Sequence, residues 1–233
     1  MKKVTAGFAG AALVIGSMSM AATTAQAYDT EAFAYAASHF LSEKDLPAAF
    51  ASKGGMNINV STTSGKTFVC TSPSPDGPDV TLAKPVRNSI AFYQPIKKSL
   101  TLSIAVNEYR SNTAAEKAFA QLTKDIKKCD GDATGSWTDD SGTVYPYENV
   151  VTSGKIPAVT VTGVASIFTN ENSNNLAVQG QPAYLNDNMN IYTLVNDAII
   201  VTEGSTGSAL NFTAKQKKAL EKVAFDMVST WVD

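Results

Sequence analysis

Apolar and polar residues alternate most regularly just before residue 110. Apolar side chains take every second position of this stretch: Leu100, Leu102, Ile104 and Val106. A period of two is typical of a strand that buries one face. The period then becomes helical, with apolar residues at Ala115, Phe119, Leu122 and Ile126. Thr113 and Glu116 predict a capping box at the start of this helix, and Gly131 is expected to stop it.

The same patterns predict shorter elements upstream. A helix is expected at Thr30–Leu41, and a second short one at residues 46–53 after Pro47. Met56–Thr62 and Lys66–Thr71 read as a hairpin, with Ser64-Gly65 as its turn. The prolines of SPSPDGPDV predict a rigid loop, and short edge strands are expected at Val80–Lys84 and Ser89–Gln94.

Downstream, strands are predicted at Val159–Phe168 and Met189–Val195, with a polar loop at Asn170–Asn188 between them. Asn196-Asp197 is expected to turn the second strand back into AIIVTEG, residues 198–204. Thr213 and Gln216 predict a capping box for a C-terminal helix. Hairpins and short loops favour an α+β fold with a mainly antiparallel sheet and packed helices, formed as one domain at residues 28–233.

The first 27 residues have the features of a secretory signal peptide. Lys2 and Lys3 precede a short apolar run, and Ala25-Gln26-Ala27 predicts cleavage before Tyr28. The apolar run is much shorter than the roughly 20 residues that a membrane span requires, and no later segment is long enough. The expected product is a secreted protein of the extracellular or cell-envelope space.

Cleavage would remove two of the 19 basic residues and none of the 21 acidic ones, which leaves a formal charge of about −4. The remaining Lys and Arg are scattered, which disfavours nucleic acid or an anionic membrane as a partner. Two cysteines remain, Cys70 and Cys129, one on each side of the central strand. In an exported protein they are most simply a disulfide, with free thiols or a metal pair as the alternatives.

No enzyme motif is present. His39 is the only histidine and has no nucleophile motif around it, so triads and the usual zinc sites lack their ligands. Phosphate-binding glycine motifs are absent. Asp130, Asp132, Thr134 and Gly135 match the start of a calcium loop, but its twelfth position is Ser141 rather than Glu, and a helix-ending polar segment is favoured. We therefore expect no catalysis, no metal and no cofactor.

Large aromatic residues stand in an acidic segment, Asp130–Asn149, that is predicted to be a loop. They are Trp137, Tyr145 and Tyr147. Two interpretations are open: the rings pack as lids on the edge of the core, or they rim a cleft. In the second case these three residues, with Tyr184, would form the walls of a ligand site.

Three segments carry a family resemblance: TLSIAVNEYRSNTAAEKAFAQLTKDIKKC, LSEKDLPAAF and NIYTLVNDAIIVTEG, followed by a C-terminal helix. Together they resemble the extracellular sensor domain of PknH-type actinobacterial serine/threonine kinases. The resemblance implies a mixed α/β sensor domain with an antiparallel sheet, a ligand cleft and no catalysis. The chain departs from the family in having one cysteine pair rather than two and Ile126 where an aromatic residue is common.

The leading hypothesis is thus a secreted, non-enzymatic binding or sensing module of the cell envelope that holds a small apolar or amphipathic ligand. An envelope protein-interaction module that uses the same aromatic residues as anchors is the second hypothesis. An unrecognised hydrolase is the third.

Overall fold

A computed structural model describes residues 38–51, 56–63, 66–71, 79–95, 100–138, 140–156, 164–175, 184–206 and 211–232. The predicted signal peptide, most of the Thr30–Leu41 helix and most of the proline-rich loop lie outside these residues. Within them, no helix is both long and apolar enough to cross a membrane.

The described residues contain ten strands and, besides a helical end at residues 38–39, two helices. The strands are β1 (Met56–Thr63), β2 (Phe68–Thr71), β3 (Asp79–Thr81), β4 (Arg87–Pro95), β5 (Leu100–Glu108), β6 (Gly131–Thr138), β7 (Val144–Ile156), β8 (Ala165–Asn175), β9 (Tyr184–Val195) and β10 (Ala198–Thr206). The helices are α1 (Asn112–Asp125), which tightens into a 3-10 helix at Ile126–Cys129, and α2 (Ala214–Val232). A further 3-10 helix covers Glu43–Asp45.

Eight strands form one antiparallel sheet in the order β1-β4-β5-β10-β9-β8-β7-β6, and β2 and β3 form a separate pair. The predicted central strand, β5, lies third in this order. The turn between β9 and β10 contains Asn196 in the left-handed region, with φ 49°, as the Asn-Asp pair predicts. The α+β expectation is confirmed.

One face of the sheet, which we call the α2 face, is packed with apolar side chains over β4, β5, β10 and β9, and is exposed at Thr152 and Glu148 of β7. Leu102 and Ile104 of β5 share a buried cluster with Leu220, Val223 and Met227 of α2. The N-terminal segment joins this cluster through Phe50, and the buried Tyr93 hydroxyl donates to the carbonyl of Leu41 across 2.9 Å. Burial of this kind, at about 25 cal/mol per Å² of apolar surface, is the main stabilising contribution.

The opposite face, which we call the α1 face, is covered in part. Phe119 and Leu122 of α1 pack with Ile199 and Val201 of β10, and the small β2–β3 sheet adds Leu82 to the same cluster. Since Ala105 of β5 is also buried here, the second half of β5 is buried on both faces rather than on one.

The helix starts differ in how well the sequence predicted them. Helix α1 is capped by Ser111, whose side chain accepts from the Ala114 amide, so the predicted Thr113–Glu116 box is wrong. The α2 box is confirmed: the Gln216 amide donates to Thr213 Oγ1 over 3.2 Å, and the Thr213 amide donates to Gln216 Oε1 over 2.8 Å. Both arrangements satisfy amide groups that a helix start leaves free.

Several predicted connections are wrong. Strand β1 pairs with β4, and β2 pairs with β3, so the predicted β1–β2 hairpin does not form. Strand β4 lies inside the sheet, not at its edge. The predicted second helix makes only one turn in the described residues, in which the Phe50 and Ala51 amides donate to the carbonyl of Pro47.

Two segments predicted as loops are strands. The acidic segment Asp130–Asn149 forms most of the β6–β7 hairpin, with Gly142 at φ 86° in its turn. Much of the segment Asn170–Asn188 belongs to β8 and β9, and β8 begins at Ala165, later than predicted. Both errors have one cause: backbone pairing across a wide sheet stabilises strands whose side chains are too polar to show a buried face.

The cysteine prediction is confirmed. Cys70 of β2 and Cys129, the last residue of the 3-10 helix, form a disulfide with their Cα atoms 6.0 Å apart. Both are buried, in the cluster beneath α1. The bond therefore ties the small sheet to the end of the helix that covers the α1 face.

A relay of hydrogen bonds fixes the start of α2 on its face of the sheet. Asp187 is 2% exposed and accepts from the Phe212 amide (2.9 Å) and from Asn170 Nδ2. The Oδ1 atom of Asn170 accepts from Lys217 Nζ at 2.8 Å. Because the lysine only donates and the carboxylate only accepts, the asparagine amide has one orientation that satisfies both.

Replacing both Cys70 and Cys129 by Ala should lower the free energy of unfolding by about 2–4 kcal/mol, because the unfolded chain loses its closed loop of 59 residues. Urea denaturation of the variant measures this. Wild-type protein unfolded in the presence of a reductant should match the variant. Equal unfolding midpoints for the oxidised wild type and the variant would contradict a stabilising role.

Asp187→Asn should lower the free energy of unfolding by about 1–3 kcal/mol, because the new amide group meets the donating amide of Asn170 in a buried site. The matched control is Asp226→Asn on the outside of α2, where Asp226 pairs with Lys222 at the surface. That change should cost less than about 0.5 kcal/mol. Similar costs for the two variants in urea denaturation would show that the relay does not stabilise the fold.

Candidate functional site

The α1 face divides into an apolar part and a polar part. Along β10, the positions on this face run from Ile199 and Val201 to Glu203 and Ser205. Along β9 they run from Leu194 and Tyr192 to polar residues at Asn190, Asn188 and Asn186. On β5 and β8 the change from apolar to polar side chains occurs at the positions paired with those on β10 and β9. The apolar part lies beneath α1, and the polar part lies beyond it.

The uncovered part forms a continuous surface. Its members are half-buried or exposed and come from five adjacent strands, and we call the set the open face: Phe92, Ser103, Glu171, Asn188, Asn190, Glu203 and Ser205. Phe92, at 40% exposure, stands opposite Ser103 in the register. A large exposed aromatic ring beside polar side chains is an informative feature on a protein surface.

Hydrogen bonds between side chains hold the open face in place. The Ser103 hydroxyl donates to Glu203 Oε2 over 3.0 Å, which joins β5 to β10. The Ser205 hydroxyl donates to Asn186 Oδ1 over 3.2 Å, which joins β10 to β9. Asn190 Nδ2 makes a weaker contact of 3.5 Å with Thr169 Oγ1. These side chains have fixed positions while their remaining donors and acceptors still face water.

Glu203 is the main charge in the middle of the open face. The surrounding protein atoms partly desolvate the Glu203 carboxyl, which raises its pKa. The hydrogen bond from Ser103 lowers the pKa and so opposes this effect. Since the side chain also meets solvent, water offsets part of the shift. Beneath it, Tyr192 is 1% exposed, and burial raises the pKa of its hydroxyl. The negative charges of Glu203 and Glu171 raise it further.

Two of the four aromatic residues predicted from the sequence, Tyr145 and Tyr147, lie on the α1 face. Tyr145 and Tyr147 of β7 are half-buried, and the Tyr147 ring lies over Gly135, where a side chain larger than hydrogen would collide with it. Trp137 of β6 pairs with Tyr145 of β7 in the register. Tyr147 of β7 pairs with Asn175 of β8, which in turn pairs with Tyr184 of β9. The side chains of Trp137 and Tyr184 lie outside the described residues. The predicted walls of a cleft are thus positions on an extended sheet surface.

The reactive residue types lie elsewhere or are already engaged. The His39 ring packs edge-on against Trp231, with the ring centres 5.5 Å apart, on the other side of the sheet. Both cysteines are in the disulfide. Asp132 and Thr134 belong to β6, so the matching calcium motif is extended strand rather than a loop. Among the described residues, no three His, Cys, Asp or Glu side chains come together as metal ligands do.

A separate surface depression of about 590 Å³ lies in the N-terminal segment. The described residues that line it are Ser42, Glu43, Lys44, Leu46 and Ala51. None belongs to the open face or to the predicted aromatic set.

Sequence reasoning missed Ser103, Asn190 and Glu203 as site residues. Each belongs to a strand that the sequence predicts. The available signal was the change from apolar to polar positions on one face, repeated in β5, β8, β9 and β10. It becomes visible only when the strands are aligned in register, because the pairing partners are distant in sequence.

No protein-family model matches the chain, and no curated protein matches it significantly. Among solved structures, the chain is similar to the crystal structure of the extracellular domain of PknH from Mycobacterium tuberculosis. The identity is 10%, the TM-score is 0.49, and the alignment covers 83% of this chain and 94% of that one. This is a distant structural similarity, and it carries no information on a ligand.

Glu203→Gln should stabilise the protein at neutral pH. A carboxyl whose pKa is raised by folding contributes most at low pH and loses that contribution as the pH rises through its folded pKa. The variant and the wild type should therefore have equal stability below the ordinary glutamate pKa of about 4.5 and diverge above it. Urea denaturation from pH 4 to 8 measures the difference, and a pH-independent difference would contradict the assignment.

Proposed function

We propose that this chain is an exported, non-catalytic binding module and that the open face is its ligand surface. The observation that carries the proposal is the uneven cover of the sheet. Over β5, β10 and β9 the α2 face is packed under α2 and the N-terminal segment along the described length of the strands, whereas on the same strands the α1 face is packed only as far as α1 and the small sheet reach. Beyond them the strands continue, with ordered polar side chains.

A solvent-exposed surface without a binding role does not require the composition of the open face. Glu203 has a carboxyl whose charged form is disfavoured by its surroundings, and Phe92, two strands away, exposes much of an apolar ring. Both features reduce stability or solubility, which is the usual cost of a binding site. The ordered hydrogen bonds support a surface prepared for a ligand, since little side-chain entropy is lost on binding.

The non-catalytic part of the proposal rests on the same surface. The open face offers carboxylates, amides and hydroxyls but no histidine, cysteine or lysine among its members. A serine nucleophile needs an adjacent base, and the only group that bonds Ser103 is the carboxylate of Glu203. Binding a ligand requires neither a nucleophile nor a base to activate it.

Export is supported by the N-terminal signal-like sequence and by the Cys70–Cys129 disulfide, since disulfides persist in oxidising compartments. We place the mature module at residues 28–233, in the extracellular or envelope space. The resemblance of the sequence to a sensor domain family agrees with a binding role.

Native mass spectrometry of the mature protein, secreted from an actinobacterial host, tests the proposal. We expect a non-covalent adduct that denaturation releases. Glu203→Arg should abolish the adduct, because it reverses the charge in the middle of the open face. Glu116→Arg makes the same charge change on the exposed side of α1 and should leave the adduct intact.

An adduct that survives in Glu203→Arg would place the ligand elsewhere and refute the site. A wild-type protein free of any adduct would contradict a ligand-carrying module. Light scattering of that protein would then ask whether the open face contacts a protein partner instead.

A further inference from the structure

We infer that the open face binds a neutral oligosaccharide chain in an extended form. This inference rests on the proposed function and names the ligand class of the same surface. It departs from the expectation of an apolar or amphipathic ligand, because the described side chains of the surface are mainly polar.

The hydrogen-bonding groups of the open face match sugar hydroxyls. A hydroxyl both donates and accepts, so it pairs best with a surface that offers both roles at close spacing. Glu171 and Glu203 only accept, while Asn188 and Asn190 both donate and accept. Hydroxyl–carboxylate hydrogen bonds are stronger than those between neutral groups. Phosphate and carboxylate ligands, by contrast, need donors with positive charge.

The charge of the surface selects for a neutral ligand. On the described strand positions from the Ser103 row to the Tyr147 row of this face there is no Lys or Arg, whereas two carboxylates are present. The 3-10 turn packed on β7 has two cations, Lys127 and Lys128, and Lys128 Nζ pairs with Asp125 at 2.6 Å. An anionic chain would therefore meet repulsion in the middle of the surface.

The dimensions of the surface favour a chain over a single small molecule. Glu203 aligns through Asn190 and Thr169 with Ser153 of β7, and Tyr147 lies six residues along that strand. Glu203 and Tyr147 are thus separated by roughly 20 Å along the strands and roughly 14 Å across them. Phe92 stands at one end and Tyr147 at the other, and aromatic rings of this kind can pack against the C–H faces of sugar rings.

Amide spectra of the isotopically labelled mature protein, titrated with neutral hexasaccharides, test the inference. The probes are the β-1,4-linked glucose, xylose, mannose and N-acetylglucosamine hexamers and the α-1,4-linked glucose hexamer. We expect at least one of them to shift the amides of Ser103, Asn190 and Glu203. The matching disaccharide should bind at least about tenfold more weakly, a difference of about 1.4 kcal/mol, because it spans only part of the surface.

Two variants locate the site. Asn190→Ala should weaken binding of the same hexamer about tenfold. Lys218→Ala is the control, since Lys218 is exposed on α2, on the opposite side of the sheet. It should leave the affinity unchanged.

The inference is overturned if no neutral hexamer shifts these amides at millimolar concentration, or if hexagalacturonate, an anionic chain, binds as tightly as the neutral ones. An equal affinity for the disaccharide would overturn the extended mode. A native adduct that disappears in Glu203→Arg but whose mass is not made of sugar units would refute this inference and leave the proposed binding function standing. If neither a native adduct nor binding of a hexamer is observed, both the inference and the proposed function are refuted.

Discussion

The extent to which α1 can cover its face of the sheet determines much of this structure. Helix α1 follows the end of β5, packs over β10 and β9, and continues as the 3-10 turn against β7. With 14 residues it is about 21 Å long, whereas eight strands span roughly 34 Å between the outermost two. One helix and a two-stranded sheet therefore leave part of this face in water. The Cys70–Cys129 bond sets the limit of the cover by joining the small sheet to the end of the helix.

On the other face, a longer helix and the N-terminal segment cover the central strands of the same sheet. Helix α2 has 19 residues and a buried stripe, and the N-terminal segment fills the region near Tyr93. The Asp187–Asn170–Lys217 relay then fixes the polar start of α2 without leaving the Phe212 amide unpaired. Two adjacent strands, β8 and β9, thus have polar residues on both faces, buried in a relay on one and exposed on the other.

The parts of the fold that were predictable depend on local signals. Residues 100–108, the Thr213–Gln216 box and the Asn196-Asp197 turn are each set by residues a few positions apart. The predictions that were wrong concern elements that depend on distant partners. Strand β1 pairs with β4 instead of β2, and the polar segments of β6 and β8 form strands through backbone pairing. The open face could not be predicted from the sequence for the same reason. Glu203 and Ser103 are a hundred residues apart, and only the register makes them neighbours.

A carboxylate at residue 203 is a physical choice that the fold does not require. Glutamine would fill the same space and could accept from Ser103, and it would avoid a charge that its surroundings disfavour. The carboxylate adds stronger acceptance from hydroxyl donors and repulsion of anions. Both properties act on a molecule that arrives at the open face and neither helps the protein fold. Under the proposed function, these two properties are the reason for a carboxylate rather than an amide at residue 203.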